Sequence, residues 1–134
     1  MGTQQLLLIV IGVVIVGIMI AVGIFMFRDQ SAATNRDAMS NDLIALATSA
    51  QKYNRRAKTF GGGGNTFDNM TMRNLTTRPA NSNGAYRLVP DPVPVGQSAV
   101  TIIGTGIETG NDGAAPVTLT MTVMADSILL VTTN

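Results

Sequence analysis

Leu6 to Phe27 reads LLLIVIGVVIVGIMIAVGIFMF, 22 positions without a charged or strongly polar side chain. Eighteen of them are Leu, Ile, Val, Met or Phe, and the rest are Gly12, Gly17, Ala21 and Gly23. As a helix this run is about 33 Å long, enough to cross the hydrocarbon layer of a bilayer. A helix that is apolar on every side must also be covered on every side. The rest of this 134-residue chain is polar and rich in Gly, Thr and Asn, and is too short to wrap it. Burying eighteen large side chains at about 1.5 kcal/mol each is worth about 30 kcal/mol. That exceeds the whole stability of an ordinary domain, about 5–15 kcal/mol. The segment is therefore expected in lipid or against copies of itself.

The flanks narrow its role. Met1-Gly2-Thr3-Gln4-Gln5 carries no Lys or Arg, and the apolar run is longer than the core of a secretory signal. Leu6 stands where a myristoylated start needs Ser or Thr. On the far side Arg28 follows at once.

Beyond Phe27 the chain has no Pro before Pro79 and no Gly between Gly23 and Gly61. The apolar positions Met39, Leu43, Leu46, Ala50, Tyr53, Ala57 and Phe60 are spaced alternately by four and three, which predicts a one-sided stripe on a helix. Lys52, Arg55, Arg56 and Lys58 crowd its final turns, where cations suit the helix dipole. Gly61 to Gly64 then stop it, as a helix end or a flexible connection. One helix from about residue 3 to about residue 59, about 85 Å long, is expected.

Residues 65–84 read as a loop with one short helical turn. Strands are predicted at Ala85–Val89, Ser98–Ile103, Val117–Met124 and Ser127–Thr132. The third alternates Val117, Leu119, Met121 and Val123 against Thr118, Thr120 and Thr122, so one face is buried and one wet. Pro90, Pro92 and Pro94 make their segment an extended connector. Gly110–Gly113 and Ala125-Asp126 are turn signals. The fold class is α+β: a long N-terminal helix with a small antiparallel sheet of three or four strands laid on its C-terminal half. Its parts are the apolar half-helix (1–27), the amphipathic half (28–60), the loop (61–84) and the sheet (85–134).

Composition excludes much else. The chain has no Cys, His or Trp, which removes disulfides, thiolate metal sites and every His- or Cys-based catalytic device. A net charge of +1 argues against general nucleic-acid binding. No enzyme and no cofactor is expected. Glu108, Asn111 and Asp112 are better read as turn chemistry than as calcium ligands, which would need six or more oxygens. Asn69-Met-Thr and Asn74-Leu-Thr match the glycan acceptor pattern.

A polar start, an apolar segment of about twenty residues, its amphipathic continuation, a glycine loop and a small sheet together resemble a mature type IV pilin. The Gly2-Thr-Gln-Gln-Leu-Leu-Leu-Ile-Val start, Arg55-Arg56 and the Gly61–Asn65 stretch are also similar to bacterial pilin-like sequences that lack the usual acidic fifth residue. The resemblance implies a precursor held in the inner membrane, cut by a leader peptidase, methylated at the new terminus and drawn by assembly machinery into an extracellular filament of identical subunits. Met1 would be the processed and methylated residue, and Gln5 would stand where the family has Glu. An amide there accepts a hydrogen bond from a neighbour's amine without the help of charge. Leu6, Leu7, Leu8, Ile11, Gly12, Ile15, Ile18, Met19, Val22, Gly23, Phe25 and Met26 would pack the filament core, with Gly12 and Gly23 on nearly one face. The alternative is a single-pass inner-membrane minor pilin-like component of a secretion or DNA-uptake machine.

Overall fold

The computed structural model describes residues 2–134; Met1, the expected processing site, lies outside them. Helix α1 runs unbroken from Gly2 to Arg55, 54 residues and about 80 Å. Its hydroxyl residues do not break it. Thr34, Ser40, Thr48 and Ser49 each donate to the carbonyl four residues back, turning their polar groups onto their own helix.

The helix ends four residues before its expected limit. Ala57 lies past the last turn and is exposed, and Phe60, in a short 3-10 turn at Lys58–Phe60, is 78% exposed. The alternating spacing of four and three places both on the stripe. The reason for the early end is the glycine run, which folds back to supply donors to the carbonyls that a helix end leaves free. Gly63 N–H donates to Tyr53 O, Gly64 N–H to Arg56 O and Asn65 N–H to Asn54 O. At Gly63 a β-carbon would run into the carbonyl of Thr66. The run is a fitted cap rather than a loose linker.

The next segment carries more of the core than a loop reading allows. Phe67, Met70 and Met72 are buried, Met72 opening a short helix α2 (Met72–Leu75). Asn74 closes its first turn by accepting from the Thr71 N–H and hydroxyl. Val93, between two prolines, is 1% exposed and pairs with Met70 and Asn69 through backbone bonds.

Four strands follow: β1 (Gly84–Val89), β2 (Ala99–Thr109), β3 (Pro116–Met124) and β4 (Ile128–Thr132). They form one antiparallel sheet in sequence order. Strand β2 continues six residues beyond its expected end at Ile103 because Gly104 and Gly106, which weaken a strand signal, are the places where the helix crosses closest. A β-carbon on Gly106 would strike the Asn35 amide and Met39 Sδ of α1. The core lies between α1 and β1–β3: Met39, Leu43, Leu46 and Ala50 from the helix, and Tyr86, Leu88, Val100, Ile102, Leu119 and Met121 from the sheet. Tyr53 is partly buried beside it and donates its hydroxyl proton to Asp68 O at 2.8 Å.

Candidate functional site

No residue of α1 before Ala32 is buried among the described residues. From Leu6 to Phe27 every large apolar side chain is exposed, from 45% at Ile11 to 74% at Phe27. This is one helix long and apolar enough to cross a membrane, with none of its apolar window buried inside the molecule. The expected packing residues Leu6 to Met26 thus stand together on a free shank, and Gln5 is exposed at its foot. Gly12, Gly17 and Gly23 have open space where side chains would be, leaving room for a neighbouring backbone.

The head begins where the shank ends. The β2–β3 turn reaches back along α1, and Asn111 Oδ1 accepts a hydrogen bond from Arg36 Nη2. Ala32, one turn before Arg36, is buried. Asp112 holds the turn by accepting the N–H groups of Ala114 and Ala115, both at 2.9 Å, and these bonds hold its carboxyl below the usual carboxylate range. Both bonds are made by one carboxylate oxygen, Oδ1. Asn69 is exposed with a left-handed backbone (φ 56°), and Asn74 is exposed with its amide oxygen engaged in the cap.

At the upper end Asp68 accepts the Gly96 N–H at 2.7 Å, which chiefly lowers its pKa, and lies 3.6 Å from Lys58 Nζ. Lys52, Arg55 and Arg56 form no ion pair among the described residues. No grouping of His, Cys, Asp and Glu able to hold a metal is present among the described residues.

No protein-family model, curated protein or solved structure matches this chain. The architecture itself, one long N-terminal helix packed against a small C-terminal antiparallel sheet, has the general pilin-like plan. Its uncovered apolar helix suits membrane association or self-association.

Proposed function

We propose that this chain is the major structural subunit of an extracellular type IV pilus-like filament, polymerising through Leu6–Phe27. The observation that carries the reading is the division of α1. One half holds a complete, separately packed head, while the other exposes eighteen large apolar side chains. In the inner membrane those side chains meet lipid. In a filament they meet the same helix from other copies, so extraction exchanges one apolar surrounding for another, and packing decides the balance. The assembly machinery, the leader peptidase and a methylated Met1 belong to the same proposal.

Shearing cells that express the chain, then imaging and sequencing the released material, tests it. Long fibres made of this chain are the expected result. Complete retention in the inner membrane without fibres would instead favour the single-pass minor component. Intact mass of the subunit reads the N-terminus, any methyl group and any sugar on Asn69 or Asn74.

A further inference from the structure

The two edges of the sheet differ. Along β1, Tyr86 N–H donates to Pro79 O, Asn81 N–H donates to Gly84 O, and Ala80 bridges Ala85, so that edge is covered. The β4 edge has no such cover among the described residues, and its sequence ILLVT carries neither charge nor Pro to deter a partner. All five β4 residues are exposed, on both faces of the strand.

The reason is geometric. Helix α1 packs on β2 and β3, and β4 stands outboard of it. Ile128 and Leu130 pair with the buried Val123 and Met121, so they share the sheet's inner face. With no helix beneath them they remain 39% and 38% exposed. On the helix, Gln51 Nε2 donates to Met124 O and marks the flank of α1 that faces this overhang. Ile44 is seven residues earlier, two turns along the same flank, and is 49% exposed. Ile44, Thr48 and Gln51 on one side, with Ile128 and Leu130 on the other, bound an open trough of uncharged side chains; Asp37 and Arg55, seven residues before Ile44 and seven after Thr48 on the same flank of α1, stand at its two ends.

We propose that this trough seats the apolar helix of a second copy of the chain. The inference rests on the filament reading and adds where on the head the neighbour lies. Lipid does not fit the trough: Ile44 is 17 residues beyond Phe27, about 25 Å along the helix and outside the hydrocarbon layer. The chain's own shank cannot fold back to it, because α1 is continuous. A neighbour's Leu6–Phe27 is apolar, uncharged and in need of cover, which is the chemistry the trough presents. Shank into trough joins two different surfaces, so the contact repeats without closing and yields an open fibre.

The absence of native Cys permits a direct test. Leu130→Cys or Ile44→Cys is combined, in the full chain, with one Cys at Ile11, Ile15, Ile18 or Val22, and sheared fibres are oxidised. The expected result is an intermolecular ladder beyond dimer for at least one pairing, and none when Leu129→Cys, on the opposite face of β4, replaces Leu130→Cys. Fibres that form but crosslink in no pairing overturn the proposal and leave the filament reading standing. Crosslinks between Leu130→Cys and itself overturn it in favour of edge-to-edge pairing. Wild-type cells without fibres overturn the filament reading, and this inference with it. As a second measure, Ile44→Lys should cut fibre yield at least tenfold with an unchanged membrane pool, whereas Ala45→Lys should not. Wild-type yield from Ile44→Lys would overturn the proposal.

Discussion

Asp42 on α1 accepts the hydroxyl proton of Tyr86 on β1 at 2.6 Å, joining helix to sheet at mid-head. The same carboxylate oxygen takes hydrogen bonds from Asn81 and Asn83, each at 2.8 Å. Partial burial pushes the Asp42 pKa up, but the bonds from Asn83, Tyr86 and Asn81 outweigh it and leave the pKa lowered. Burial and the Asp42 carboxylate in turn push the Tyr86 phenol well up.

Head stability should follow from this contact. A carboxyl with a lowered folded pKa stabilises fully above the unfolded value, about 3.9, and progressively less as pH falls through the folded value. Tyr86 acts at the other end: its raised pKa withdraws stability as pH climbs past about 10. Asp42→Ala leaves the buried phenol without its acceptor and should cost about 2 kcal/mol. Melting of the detergent-solubilised chain against pH checks both. An Asp42→Ala variant with an unchanged acid limb would show that this carboxylate is not the sensitive group.

Head and shank should respond separately to truncation. Met39 is fully buried, so Met39→Ala should lower head stability by about 2–5 kcal/mol. Phe25 is exposed, so Phe25→Ala should leave head melting unchanged while lowering fibre yield about tenfold, the worth of one buried aromatic. Melting curves and sheared-fibre blots together separate the two. A loss of head stability in Phe25→Ala would contradict the division of α1.

The glycine cap offers a sharper contrast. Gly63→Ala places a methyl against the Thr66 carbonyl and should destabilise by about 1–3 kcal/mol. Gly12→Ala meets nothing within 4 Å in the single chain and should leave head melting untouched. Equal melting of both variants would mean that the cap relaxes freely.

Val93→Ala should cost about 2 kcal/mol despite its place between two prolines. Denaturant unfolding measures it, and a change within error would show that the proline connector contributes no core.

Val93 also shows where sequence reasoning stops. Periodicity finds Met39, Leu43, Leu46 and Ala50 because regular spacing on α1 reports one buried side, and it finds β3 because Val117 to Val123 alternate. It does not find Val93, Phe67, Met70 or Met72, since an irregular segment has no period to reveal which side chain turns inward. The second half of β2 is hidden because Gly104 and Gly106 answer to the approach of α1, a tertiary demand that strand propensity opposes. Ala57 and Phe60 continue the spacing, yet the glycine cap claims the helix end first. The shank is fully legible, since 22 apolar residues in a row need no partner to be recognised. The trough is not, because it exists only once β4 is seen to overhang the helix.

Every core contact of α1 lies at or beyond Ala32. In the proposed filament the folded end can therefore keep its shape while the other end passes from lipid to neighbouring helices. On that reading each subunit enters the fibre as a rigid brick, its head already built.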